Sequence, residues 1–345
     1  SSIQTQTQNV SLSPKSIIYE DDDILLINKA AGELSQKASP KDVSMVEKVI
    51  GYALSTQKVT NEQLLVCRPS VCNRLDRNTS GLIAAGFSIR GLQFLSEQFR
   101  TRDLHKYYMA LVAGCVTRQQ KLKGYLYKDE KTNKVEVHET LEEFPEHLKK
   151  DALAIETVYE PVAATKQATL LKVLLVTGRS HQIRAHLSSI NHPIIGDSKY
   201  GDSSINEQFR KKAGTKRQLL HAYEMVFPVC EGHFSYLSQK SFQAPLPNDF
   251  FKAMEYANLN KNETLLDLYC GVGTIGLTMA GSVKKLIGVE IIGKAIENAK
   301  INAKLNNIDN AEFICADAPT AAKKLEKEGI KGSGAIYEVS TMADS

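Results

Sequence analysis

The residues best placed to do chemistry stand in one stretch, Asn73-Arg74-Leu75-Asp76-Arg77-Asn78-Thr79-Ser80-Gly81-Leu82. One carboxylate, Asp76, lies between two arginines, and a Thr-Ser-Gly turn follows it. Positive neighbours favour the charged form of an acid, so Arg74 and Arg77 are expected to lower the pKa of Asp76. A carboxylate held ionised can attack an electrophilic carbon. An isolated Arg-Leu-Asp triplet is as readily a salt bridge in a surface loop, so the wider pattern must decide.

Two other segments offer partners. Ser180 to Ile190 reads as a helix, with Ile183, Leu187 and Ile190 on one face and His181, Arg184 and Ser188 on another. Its packed face would hold Arg184 while the guanidinium points into a cleft. Lys106 to Val112 reads as a strand, and alternation puts Tyr108, Ala110 and Val112 on one face. Taken singly, a helical arginine is usually a solvated surface residue, and a strand tyrosine is usually half-buried packing.

Several elements must position these groups. An apolar run, Leu64 to Val66, leads toward the Asp76 stretch, and Leu82 to Ala85 leads away from it. Ile17 to Asn28 reads as two strands around the acids Asp21 to Asp23. Val43, Met45, Val46, Val49, Ile50, Ala53 and Leu54 recur at helical spacing, and Ser88 to Arg102 is a second amphipathic helix. Residues 115–165 read as a hairpin followed by loop, and Ala168 to Thr177 as a central strand. Residues 1–15, rich in Ser, Gln and Thr, read as a disordered lead-in.

Near residue 252 the texture changes. Lys261 to Asp317 reads as strand, glycine turn, helix, strand, helix, strand. Asp267 ends the first strand, Gly271, Gly273 and Gly276 follow, and Glu290 ends the next strand. A glycine turn opening a helix lets a ligand approach the backbone, and an acid about 20 residues on binds ribose hydroxyls.

Four blocks in order resemble the RluA family of RNA pseudouridine synthases. They are SIIYEDDDILLINKAAG (Ser16 to Gly32), the Asp76 stretch, TGRSHQIRAHLSSINHPIIGDSKY (Thr177 to Tyr200) and RQLLHA (Arg217 to Ala222). The resemblance implies Asp76, Tyr108 and Arg184 as catalytic residues, with Arg184 paired to Asp76. It also implies Arg74, Arg179, His181 and Gln182 as RNA contacts. Two positions depart from the family pattern: Asn73 stands where histidine is usual, and Ala30 replaces a proline, which predicts a looser turn. The run from Asp267 to Asp317 is similar to the S-adenosylmethionine-binding start of the RumA/TrmA family of RNA uridine-5-methyltransferases. There Asp267, Gly271, Gly273, Glu290 and Asp317 would line the cofactor pocket. That family's D-P-P-R loop and nucleophilic cysteine find no match before Ser345. A crippled fragment is therefore expected, with weak cofactor affinity or none, an exposed sheet edge and a half-covered face.

The bulk numbers fit this reading. Six cysteines without a Cys-x-x-Cys pair argue against zinc and against a disulfide framework. No apolar stretch approaches the length of a membrane span, no secretory signal opens the chain, and the cytoplasm is the expected compartment. Residues 1–251 carry a net +5 and every arginine, against −1 for residues 252–345. Arg210, Lys211, Lys212, Lys216 and Arg217 form a basic run that could touch RNA backbone.

The expected fold is α+β: a mixed, mostly antiparallel synthase sheet over residues 16–251, then a partial α/β Rossmann-like methyltransferase fragment over 252–345. The expected function is isomerisation of uridine to pseudouridine in RNA, ribosomal RNA foremost, by a monomer needing no metal and no cofactor. S-adenosylmethionine enters only through the tail. The alternatives are an RNA uridine methyltransferase and a non-catalytic RNA-binding module.

Overall fold

The computed structural model describes residues 10–259, 264–268, 270–271, 273, 276–277, 280, 284–327 and 336–338. Eleven strands among them build the first sheet: β1 (Ile17–Glu20), β2 (Ile24–Lys29), β3 (Ser70–Val71), β4 (Ser80–Gly86), β5 (His105–Ala113), β6 (Gln120–Asp129), β7 (Lys134–His138), β8 (Leu153–Ala164), β9 (Ala168–Leu175), β10 (Leu220–Val226) and β11 (Ser241–Gln243). The order is β1-β2-β4-β10-β5-β9-β8-β6-β7, with β3 on β4 and β11 on β10. Neighbours are antiparallel except β4 and β10, which run parallel.

The expected alternation on β5 holds. Tyr108, Ala110 and Val112 face the cluster built with β2 and β4, while Met109, Leu111 and Ala113 face the opposite cluster. The helix Met45–Ser55 starts at a capping box, in which the Ser44 amide donates to the Glu47 carboxylate at 2.9 Å. It buries Met45, Val49, Tyr52 and Ala53, whereas Val43 lies outside it and is exposed. The run Leu64 to Val66 forms a short helical turn with Leu65 and Val66 exposed, and the strand entering the Asp76 loop is β3. The stretch expected as loop before residue 165 contains β8, a strand of 12 residues. Seven consecutive buried residues, Thr157 to Ala163, cover both of its faces and hide the alternation that marks a half-exposed strand.

The lead-in is shorter than expected. Residues 1–9 lie outside the described residues, but Leu12 is buried and Pro14–Ser16 form a 3₁₀ turn.

The tail forms a second, all-parallel sheet in the order β14 (Ala311–Cys315), β13 (Lys285–Glu290), β12 (Thr264–Leu268), β15 (Ile336–Glu338). Leu286 and Phe313 pack with Ile296 and Ala299 of the helix Gly293–Leu305, and Ile287, Val289 and Ile314 pack with Ala321 and Leu325 of the helix Ala318–Lys327. Both faces therefore carry a helix, rather than one face being half covered. The expected boundary at 251/252 cuts through the helix Asn248–Tyr256. Phe250, Ala253 and Met254 of that helix are in one apolar cluster with Met109, Leu111 and Leu170 of the first sheet and Leu286 of the second. The two parts share a core, so the tail is not a loose appendage.

Candidate active site

The Asp76 loop hangs between β3 and β4 and is tied from three sides. Lys29, fully buried, donates to the carbonyls of Ala30, Glu33 and Arg77 at 3.0, 2.9 and 3.0 Å. Ser35 and Leu75 exchange two hydrogen bonds of 2.9 Å. From below, Arg217 donates to the Asn78 carbonyl and the Ser80 hydroxyl at 3.1 and 3.2 Å, while Asp249 takes its other edge at 2.6 and 3.0 Å. His221 meets the Ser80 hydroxyl at 2.8 Å. The parallel pairing of β4 with β10 brings Gly81 against Ala222. Gly81 has φ +114°, and a Cβ there would collide with the Ala222 carbonyl, so this position requires glycine.

Several expectations change here. The Ala30 turn is not loosened: its amide donates to the Glu33 carboxylate at 3.0 Å, a bond proline could not make. Asn73 bridges the Leu82 carbonyl and the Ala84 amide, fastening the loop to β4. Arg217 is buried in its clamp and cannot reach RNA backbone.

Neither Arg74 nor Arg77 is the cation that faces Asp76. Arg77 turns to the Gly32 carbonyl at 3.0 Å, and Arg74 is exposed at the cleft wall. The cation is Arg184, 108 residues away, whose Nη1 donates to Asp76 Oδ2 at 2.8 Å. The helix Gln182–Ser189 buries Ile183 and Leu187 and holds Arg184 at 5% exposure. Its remaining edge is gripped by Asp197, with Nε and Nη2 at 2.7 and 3.0 Å from the two carboxylate oxygens. A bidentate fork fixes a guanidinium in direction as well as position. Burial alone would pull Arg184 down, but the two carboxylates outweigh it and hold the guanidinium protonated. Burial likewise pushes Asp197 up, yet Arg184 and the amides of Lys199 and Tyr200 keep it below the usual carboxylate range.

Tyr108 reaches the same cleft from β5. Burial, and then the charge of Asp76, push its pKa up, so the phenol keeps its proton. His181 Nε2 lies 3.9 Å from Asp76 Oδ1. The cleft measures about 620 Å³ and gathers all seven residues expected to act on RNA: Asp76, Tyr108, Arg184, Arg74, Arg179, His181 and Gln182. That is ample for one nucleotide, since small-ligand pockets run from about 300 to 1,000 Å³. Gln182, however, is no free contact. Its amide donates to the Glu156 carbonyl and the Thr157 hydroxyl, both at 3.0 Å, and accepts from Thr177 and the Arg179 amide at 2.8 and 3.1 Å. At 2% exposure it holds the Arg179 turn in place.

Residues 23–189, which contain this cleft, match the family model described as RNA pseudouridylate synthase. Ribosomal large subunit pseudouridine synthase C of Pasteurella multocida is 33% identical over 226 residues, which cover 65% of this chain and 64% of that relative. The chain thus spans just under two thirds of that relative's length. Among solved structures, human RNA pseudouridylate synthase domain containing 4 shares the fold, with a TM-score of 0.56 and 19% identity over 74% of this chain and 97% of that one. Further along the chain, residues 259–331 match the family model described as methyltransferase domain. An uncharacterised RNA methyltransferase of Bacillus cereus is 40% identical over 121 residues, covering 34% of this chain and 26% of that relative.

The tail's five expected cofactor residues divide. Gly271 and Gly273 have φ +53° and +81°, and a Cβ at Gly271 would meet nothing within 4 Å, so a ligand can approach that backbone. Glu290 ends β13 and accepts from the amides of Gly271, Ile291 and Ile292 at 3.1, 2.9 and 3.1 Å, leaving it one acceptor site for a ligand hydroxyl. Gly271 and Glu290 fit the nucleoside end of a cofactor, whereas Gly273 packs against Ala299, Leu277 and Phe313 and donates its amide to the Cys270 carbonyl at 2.7 Å. Asp267 and Asp317 make local contacts instead. Asp267 is buried beneath the Gly276 amide, and burial raises its pKa to about 7. Asp317 accepts the Thr320 amide at 2.7 Å at the start of the helix Ala318–Lys327 and is otherwise exposed.

The sequence reading missed Asp197, Lys29 and the inward role of Arg217. Each stands in a quoted block, but nothing in a block tells a buried anchor from a surface charge.

Proposed function

We propose that this chain isomerises uridine to pseudouridine in RNA. The single observation that carries the proposal is the convergence of Asp76, Arg184 and Tyr108 in one cleft from three distant segments. The reaction breaks N1–C1′, turns the base and forms C5–C1′, with no net oxidation. An ionised carboxylate beside the ribose serves attack at C1′ and assisted elimination alike, and Arg184 aims it. Tyr108 stacks on the uracil and, holding its proton, can donate it. The target leaves its helix at a cost of a few kcal/mol, and exposed Arg74 is placed to fill the gap. Ribosomal RNA is the proposed substrate class, following the Pasteurella multocida relative, with the cytoplasm as site of action and a monomer as the acting form. Among the described residues, no helix is long and apolar enough to cross a membrane.

The test follows from the bond change. Forming C5–C1′ expels the hydrogen at C5, so ribosomal RNA carrying tritium at uridine C5 should release tritium to water with the protein present. No release from any RNA fraction of the source cells would refute the proposal.

For the tail we infer S-adenosylmethionine as the ligand that Gly271 and Glu290 would hold, with weak affinity because Asp267 is buried beneath the Gly276 amide and Asp317 is drawn to the Thr320 amide. When bound, it would supply a methyl donor.

A further inference from the structure

We propose that Tyr200 is a positioning residue that sets the proton of His181 on Nε2, directed at Asp76. This rests on the reading of Asp76 as the reactive group. Tyr200 Oη lies 2.7 Å from His181 Nδ1, and the same oxygen accepts the Val135 amide of β7 at 3.0 Å. With its lone pair engaged by Val135, the phenol directs its own hydrogen to Nδ1. A proton on Nδ1 instead would aim two donors at one oxygen and deprive the phenolic hydrogen of that acceptor. The imidazole then carries its proton on Nε2, which faces Asp76 Oδ1 at 3.9 Å. That gap closes to a hydrogen bond with a small shift, as expected of catalytic contacts that tighten on binding.

Both rings are held. Tyr200 lies under the Arg184 guanidinium at 5.1 Å, its amide donates to Asp197 at 3.1 Å, and its carbonyl accepts from Ser188 at 2.8 Å. His181 sits at φ +54°, an uncommon backbone for a non-glycine residue, and its ring meets Tyr200 edge-on. The charged groups facing His181 are Asp76 and Asp197, which favour its protonation, and Arg184 and Lys199, which oppose it. Burial is the largest influence and holds the imidazole neutral. A neutral donor orients Asp76 without adding a second full cation to quench it.

The test uses the full chain with ¹⁵N-labelled histidine. In the wild type, the His181 resonances should show an unprotonated Nδ1 and a protonated Nε2, with any titration below the usual histidine range. Tyr200→Phe keeps the ring under Arg184 and removes only the hydroxyl. It should give mixed tautomers and a His181 whose titration differs from that of the wild type. Its turnover should fall roughly tenfold, the scale of one lost hydrogen bond, with a new inflection in the pH profile and RNA affinity within about twofold. In a His181→Gln background, Tyr200→Phe should add little. An Nδ1–H tautomer in the wild type, or an unchanged tautomer and pH profile in Tyr200→Phe, would overturn the proposal. A wild type that releases no tritium would instead sink the functional reading, and the resonance result would stand apart from it.

Discussion

Replacing Arg184 by lysine should damage both stability and turnover, and Asp76→Asn should damage turnover alone. The guanidinium makes three charge-assisted hydrogen bonds at 2.7, 2.8 and 3.0 Å to two carboxylates. A single ammonium cannot present a fork to Asp197 and a third donor to Asp76. At least two of the three bonds are lost, at about 1.5–3 kcal/mol each. The Asp197 side chain is completely buried, so weakening its partner leaves an under-compensated charge in the core. The expected loss is about 3–5 kcal/mol, which lowers the melting temperature by on the order of 10 °C. Turnover should fall by about 10²–10³, the cost of removing one oriented donor from a developing charge. Asp76 is different, because 32% of its side chain is exposed and Arg184 keeps its Asp197 fork without it. Asp76→Asn should melt within a few degrees of the wild type. Calorimetric melting and tritium release on the same preparations measure both effects. An Arg184→Lys protein that melts within about 2 °C of the wild type and turns over within threefold would refute the shared-fork argument.

Three further outcomes are expected. Gly81→Ala should destabilise the protein by more than about 2 kcal/mol and reduce turnover, since the added methyl must displace the β4–β10 pairing that carries the Asp76 loop; wild-type chemical-denaturation midpoints would contradict this. His186 and His221 are buried and their pKa values are pushed down to about 4, chiefly by burial. The unfolded chain, with histidines near 6.5, takes up those protons first, so stability is present above about pH 6.5 and is lost as the pH falls toward 4, at up to about 3 kcal/mol for each histidine. Denaturation at stepped pH should show that slope, and its absence in a His186→Gln, His221→Gln double variant would confirm the source. Titrating S-adenosylmethionine by calorimetry should give no binding in the micromolar range, and micromolar binding would contradict the assignment of Asp267 and Asp317 to structural roles.

Much of this site was legible in the residues because spacing reports which faces are apolar. The alternation on β5 placed Tyr108, and the Ile183/Leu187 stripe placed Arg184, where the structure has them. The glycine turn and the acid at position 290 marked the parallel sheet of the tail. What spacing cannot report is the identity of a partner. Arg74 and Arg77 adjoin Asp76 in the chain yet point away, and the charge that matters arrives from a helix 108 residues on. Gln182 and Arg217 read as outward polar groups, but each has its hydrogen-bonding capacity consumed inside the fold. The boundary at 251/252 falls inside a helix for a related reason: spacing marks Phe250 and Met254 as apolar, and only packing shows that they join one cluster with residues of both sheets.

The central claim is that the proposed chemistry needs the Asp76 carboxylate, whereas RNA binding rests on other groups of the cleft. Its most direct test compares wild type and Asp76→Asn for pseudouridine formation and for RNA binding on the same ribosomal RNA. The variant should bind within a few-fold of wild type and form no product. Product formation at any appreciable fraction of the wild-type rate by the variant would contradict it.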